Sequence, residues 1–119
     1  MLCFSCAFVS LIVNATSTDD WIMFRHDVNR TGYSSSSAPA TNSTLWNFKT
    51  VWSVSSSQAV VGGRLNIGAD DGKVFCLDAS TGSKIWNYTT GGAVFFSAAV
   101  IDGRVYVGSD DGNLYAIGP

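Results

Sequence analysis

A chain of 119 residues with a formal net charge of −2 allows one domain at most, and at that size about 60 to 70% of the unfolded surface can be buried. It carries no basic excess, which argues against nucleic acid as a partner, because phosphates call for a cationic face.

Residues 1–13 contain no charge and run almost wholly apolar before breaking into the polar Asn14, Ala15, Thr16, Ser17 and Thr18. At about 1.5 Å per helical residue the run is too short for a roughly 30 Å bilayer core, so residues 1–15 are expected to be a signal peptide cleaved after Ala15. No Lys or Arg precedes the run, which such a signal usually has. The other reading, a buried strand or helix, needs cover that nothing downstream offers. The mature chain is then exported to the periplasm, cell surface or medium. Cys3 and Cys6 leave with the signal, and Cys76 sits in a strand apolar on both faces, as a small inert core residue rather than a reactive thiol.

Residues 16–43 form an arm and a linker. The stretch 21–33 has apolar and aromatic residues but no sustained period of 2 or 3.6, as expected of an ordered arm. His26 beside Asp27 is the only histidine, and no activated nucleophile accompanies it, so packing or hydrogen bonding is its expected role rather than catalysis. Residues 34–43, rich in Ser, Thr, Ala and Pro, read as an irregular linker.

Strands are expected at 45–49, 58–61, 64–69, 73–78, 84–89, 98–101, 104–109 and 113–117. Most are bounded by glycine turns such as Gly62-Gly63, Asp70-Asp71-Gly72, Asp102-Gly103 and Asp110-Asp111-Gly112. Connections this short make neighbours antiparallel. In 73–78, Val74 and Cys76 alternate with Phe75 and Leu77, so both faces need cover; 84–89 has the mixed pattern of a half-exposed outer strand. Sliding the chain on itself by 40 residues superposes Trp46 on Trp86, Arg64 on Arg104, Gly68 on Gly108, and Asp70-Asp71-Gly72 on Asp110-Asp111-Gly112. Ungapped self-similarity at this period fits a four-stranded propeller blade. The expected fold is all-β: two antiparallel four-stranded blades over 44–119, one complete and one split between 44–50 and 98–117.

The run from Cys76 to Trp86 resembles the tryptophan-docking motif of pyrroloquinoline-quinone-like (quinoprotein alcohol dehydrogenase-like) propeller repeats, with Asp78, Thr81, Gly82 and Trp86 matching. Cys76 stands where that family usually has Ala, and Ser83 where it often has Lys. The resemblance covers 44–119, and the arm 21–33 is similar to the segment before the first blade in exported prokaryotic, often archaeal, members. It implies that Trp86, and Trp46 by its repeat position, lock one blade to the next. Quinone-binding dehydrogenases of this fold use a vicinal Cys-Cys pair, a carboxylate and Asn around calcium, and a basic residue. This sequence has no Cys-Cys pair. The Asp pairs 70–71 and 110–111 read as turn residues, since calcium wants 6 to 8 converging oxygens. The family also has noncatalytic members, among them a scaffold lipoprotein of outer-membrane barrel assembly; a lipoprotein signal is not evident here.

The expected function is therefore a noncatalytic exported propeller segment, an interaction or structural module for a protein or surface ligand, with no cofactor, metal or catalytic residue. The alternative is a remnant or subunit of a quinone-dependent dehydrogenase. Two blades cannot close a ring of 4 to 8, so the chain is expected to be a fragment of a longer gene or a unit of a cyclic homo-oligomer of three or four copies.

Asn29, Asn42 and Asn87 each begin an Asn-X-Thr triplet, the N-glycosylation pattern; Asn14 does too but would leave with the signal. Asn42, in the linker, is favoured over Asn87, within a strand. The intact mass of the secreted protein should then exceed that of the bare chain from Thr16 onward, and a mass equal to the bare chain would overturn the assignment.

Overall fold

The computed structural model describes residues 20–119; the expected signal peptide, with Cys3, Cys6 and Asn14, lies outside them. The described residues form β1 (Ala59–Val61), β2 (Arg64–Gly68), β3 (Lys73–Asp78), β4 (Lys84–Thr89), β5 (Ala99–Ile101), β6 (Arg104–Gly108) and β7 (Leu114–Ile117). They build two antiparallel meanders, β1-β2-β3-β4 and β5-β6-β7.

Turn chemistry sets the register. Gly62 and Gly63 (φ 55° and 71°) and Asp102 and Gly103 (φ 48° and 72°) occupy the left-handed region at both central positions of a two-residue hairpin loop, so Val61 faces Arg64 and Ile101 faces Arg104. The next hairpin of each repeat is wider. Gly72 N–H donates to Ala69 O (3.1 Å) and Gly112 N–H to Ser109 O (3.1 Å), each closing a tight turn on a left-handed glycine.

Two apolar clusters lie on opposite faces of β3. Val74 joins Ala59, Val94, Ala98, Val105 and Val107 between the two sheets, with Trp86, Val100, Tyr115 and Ile117 at its margin. Phe75 and Leu77 pack with Ala69 on the far face, under Trp46, Phe48, Leu65 and Ile67. Phe48 meets Phe75 edge-on at 5.2 Å between ring centres. Both faces of β3 are thus covered, and Cys76 is 1% exposed within it. β4, by contrast, is exposed apart from half-buried Trp86.

The close approach of the sheets needs a residue without a side chain at one point. A Cβ on Gly68 would stand 2.9 Å from Val94 Cβ and 2.9 Å from Val94 O, and nearer still to Val94 Cγ1. Backbone bonds repeat the arrangement at 40-residue spacing: Asp70 N–H donates to Ser53 O and Asp110 N–H to Ala93 O, both at 3.0 Å. The arm completes the assembly. Val60 N–H donates to Trp21 O (2.7 Å) and Val100 N–H to Ile22 O (3.0 Å), so consecutive arm carbonyls serve equivalent residues of the two inner strands.

One expectation needs correction. Residues 45–49 are not a strand, whereas the second sheet has the three strands expected within 98–117. The cause is the absence of a ladder: this segment lies by its side chains over the face of β3, where there is no free strand edge to pair with.

Gly68→Ala should destabilise the fold by about 1–3 kcal/mol through overpacking, read as a lower urea midpoint. Gly108→Ala, whose Cβ would touch only the Phe96 ring at 3.3 Å, should stay within about 1 kcal/mol of the parent. Equal losses would mean that the sheets are not packed through Gly68.

Candidate functional site

The turn from β3 to β4 is built on Asp78. Its Oδ1 accepts Ser80 N–H (2.9 Å), Ser80 Oγ–H (2.6 Å) and Thr81 N–H (2.9 Å), while Asp78 O accepts Gly82 N–H (2.8 Å). The Ser80 hydroxyl, then the Thr81 and Ser80 amides, hold the Asp78 carboxyl below its ordinary value. The turn leaves Gly82 at φ 72°, with its Cα hydrogens against the Trp46 indole: a Cβ there would lie 2.5 Å from Trp46 Cε3. Trp46 Nε1–H donates to Ala79 O at 3.1 Å. Four of the residues singled out from the sequence, Trp46, Asp78, Thr81 and Gly82, therefore meet at one place.

Trp86 does not join them. It lines a cavity of about 520 Å³ between the two sheets, with Arg64, Asn66 and Cys76 on one side and Ile101, Gly103 and Pro119 on the other. Among the described residues its indole N–H makes no hydrogen bond, in contrast to that of Trp46.

The tandem carboxylates serve the backbone. Asp71 Oδ1 accepts Lys73 N–H (3.1 Å) and Oδ2 pairs with Lys73 Nζ (2.9 Å). Burial acts to raise this carboxyl, but the Lys73 ammonium and amide outweigh it and the net shift is downward. Asp111 Oδ1 accepts Asn113 N–H (2.9 Å), and Oδ2 accepts Gly91 N–H (2.8 Å) and the Tyr115 hydroxyl (2.5 Å). The Tyr115 hydroxyl, chiefly, lowers Asp111, and the same bond raises Tyr115. Asp70 Oδ2 accepts Ser55 Oγ–H at 3.2 Å. Among the described residues no three His, Cys, Asp or Glu converge as metal ligands.

Cys76 is enclosed, and burial pushes its thiol up, away from the reactive thiolate. His26 lies edge-on to Trp21 at 4.9 Å, with Nδ1 3.6 Å from Asp27 Oδ2. That carboxylate is held instead by Thr31, through its hydroxyl at 2.6 Å and amide at 3.1 Å. Asn29, Asn42 and Asn87 are all exposed. The hydroxyl of Thr31, in the Asn29 triplet, is the one engaged with Asp27.

Sequence reasoning missed a polar seam between the repeats. Thr90 Oγ1 lies 2.9 Å from Gly72 O and 2.7 Å from Gly92 O, and Ser109 Oγ lies 3.1 Å from both Thr90 Oγ1 and Gly92 O. Thr90 and Ser109 are buried, at 8% and 6% exposure. The available signal was that Thr50 and Thr90 coincide in the repeat while their neighbours vary, but Ser and Thr are too common in this chain for it to stand out.

Two blade-like meanders packed face to face, with glycine at the close approach and aromatic residues over the turns, make this a pyrroloquinoline-quinone-like β-propeller repeat protein. The profile of the family described as "Outer membrane protein assembly factor BamB" matches residues 31–118, and the chain belongs to that family. Among solved structures it is similar to BamB from Moraxella catarrhalis, at 22% identity and a TM-score of 0.58 over 64% of this chain and 24% of that one. It is also similar to the quinohemoprotein alcohol dehydrogenase of Comamonas testosteroni, at 28% identity and a TM-score of 0.69 over 89% of this chain and 18% of that one. The chain thus spans a quarter or less of the length of either structure. No curated protein matches it significantly.

Asp71, Asp78 and Asp111 are all lowered from an ordinary 3.8, so the stability they contribute is fully present above that value and is lost as pH falls through their lower folded values. Melting temperature should hold level down to that point and then drop with further acidification. Asp111→Asn should lower it at neutral pH and flatten the acid limb; an unchanged acid limb would mean that Asp111 is not engaged as described.

Proposed function

We propose that this chain is a noncatalytic, exported propeller module whose work is to hold its blades together and present them to a protein partner. The observation that carries this reading is the commitment of three turn carboxylates: Asp71 and Asp111 bind amides and nearby side chains through both oxygens and Asp78 through Oδ1, while of the tandem pair at 70–71 only Asp70 Oδ1 is buried without a hydrogen-bond partner. An enzyme that coordinates calcium and quinone needs such oxygens free and converging. The histidine and cysteine offer no substitute, since Cys76 is packed in the core and His26 lies against Trp21. Membership of a family described by an assembly factor supports protein interaction as the kind of task.

In this reading the contact of Trp46 with Gly82 and Ala79 is the lock between one blade and the next, as the docking motif implies, and Trp86 is its counterpart on the following blade. Export rests on the apolar segment 1–13 and on the family's description as an outer-membrane assembly factor.

The competing class, a remnant or subunit of a quinone-dependent dehydrogenase, is separated by titrating purified protein with pyrroloquinoline quinone and calcium. The expected result is no stoichiometric bound-quinone absorbance and no dye reduction. Stoichiometric binding with dye reduction would overturn the noncatalytic reading.

A further inference from the structure

All three lysines of the chain line one groove. Lys49, Lys73 and Lys84 surround a depression of about 370 Å³ that Phe48, Phe75 and Asn87 also line, and none of its walls is a carboxylate. The chain as a whole is acidic, with a formal net charge of −2, so the positive charge here is segregated rather than general. The repeat does not require it. At the 40-residue offset the equivalents of Lys49, Lys73 and Lys84 are Thr89, Asn113 and Thr44, none of them charged. The turn backbone is nevertheless held alike in both copies: Asp71 Oδ1 accepts Lys73 N–H (3.1 Å) and Asp111 Oδ1 accepts Asn113 N–H (2.9 Å). The Lys73 ammonium is therefore additional to the turn. It pairs with Asp71 Oδ2 at 2.9 Å, which takes one of its three donors. Lys49 and Lys84 are exposed and make no ion pair among the described residues.

Strand register fixes the spacing of these charges. Lys73 stands opposite Thr89, and Lys84 stands opposite Leu77. The two lysines thus lie four positions apart along the β3–β4 ladder, about 13 Å at about 3.3 Å per residue. Between them Asn87 stands opposite Phe75, whose ring meets that of Phe48 edge-on at 5.2 Å. Lys49 follows Phe48 on the segment that lies over this face. An extended polypeptide has the same rise and puts residues i, i+2 and i+4 on one side. Carboxylates at i and i+4 would therefore match Lys73 and Lys84, with the side chain at i+2 over the two phenylalanines.

We propose that this groove binds an extended acidic segment of a protein partner, with carboxylates at i and i+4 and an aromatic side chain at i+2. Lys73 and Lys84 hold the two carboxylates, and Lys49 adds a third positive charge from the facing wall. Opposite charges supply the attraction, and the aromatic lining supplies a place for the residue between them. The recess itself favours a peptide over an anionic membrane, because a planar layer of headgroups does not enter a depression walled by side chains. The proposal rests on the reading of the chain as a module for a protein partner. Quinone binding and peptide binding are separate measurements, so either can fail alone.

Titrating the isotope-labelled full chain with the capped peptide Ser-Asp-Thr-Phe-Thr-Asp-Ser, followed by amide chemical shifts, tests it. The expected result is saturable shifts centred on Lys49, Lys73, Lys84 and Asn87. Affinity should fall several-fold when both Asp of the peptide are replaced by Asn, and fall again at high salt. Lys49→Gln and Lys84→Gln should each weaken binding several-fold with the rest of the amide spectrum unchanged, since both side chains are exposed. Arg104→Gln, which removes an exposed cation outside the groove, should leave affinity as it is. No binding at millimolar peptide would overturn the proposal. So would equal affinity for the Asn peptide, or an affinity that neither lysine substitution changes. Cosedimentation of the full chain with phosphatidylserine vesicles, lost in both lysine variants and found in place of peptide binding, would assign the groove to a membrane surface instead.

Discussion

The fold depends on how closely two sheets can approach. Val94 reaches the backbone of β2 because position 68 has no side chain, and around that contact Val74, Ala59 and Ala98 become inaccessible to water. At about 25 cal/mol per Å² of apolar area buried, such a layer is the main source of stability available to a chain of this size. A single added methyl at Gly68 acts on the whole layer, because the atoms it would meet include the backbone carbonyl of Val94 as well as its side chain.

Most polar groups at the seam are paired, Asp70 Oδ1 being the buried carboxylate oxygen there without a hydrogen-bond partner. Where the loop before β5 meets the turns after β2 and β6, Thr90 supplies its hydroxyl toward the carbonyls of Gly72 and Gly92, Ser109 toward that of Gly92, and Asp111 reaches across to the amide of Gly91. A buried carbonyl without a partner costs about 1–3 kcal/mol, so these short side chains matter more than their size suggests. Asp78 and Asp71 do the same work within a single turn. Chemistry that looks catalytic in one dimension, acidic residues in tandem beside glycine, is here the chemistry of closing loops.

Much of this was legible because it is local or periodic. The bounds of β3 and β4 follow from alternation and turn residues, and the two-sided burial of β3 follows from Val74 and Cys76 alternating with Phe75 and Leu77. The segment 45–49 shows the limit of that logic. Its pattern is that of a strand, but a strand is defined by a neighbour, and a neighbour forty or more residues away leaves no mark in the segment itself. The arm was harder still. Its bonds to Val60 and Val100 use backbone carbonyls, which every residue carries, so no side chain announces them. The separate positions of Trp46 and Trp86 were hidden for a related reason: equal repeat positions do not imply equal surroundings when one has a following turn to rest on and the other lines a cavity.

The arm is a single, unrepeated stretch serving a duplicated structure. In an extended chain successive carbonyls point to opposite sides, and Trp21 and Ile22 use that alternation to give one acceptor to each inner strand. An extended backbone has only two such sides, so the arm is a device of fixed valence. Gene duplication adds 40-residue units, but an inner strand beyond the second would find both of these acceptors taken. The pair of blades next to the arm is thereby distinguished from any others by its backbone bonding, even where its side chains are the same.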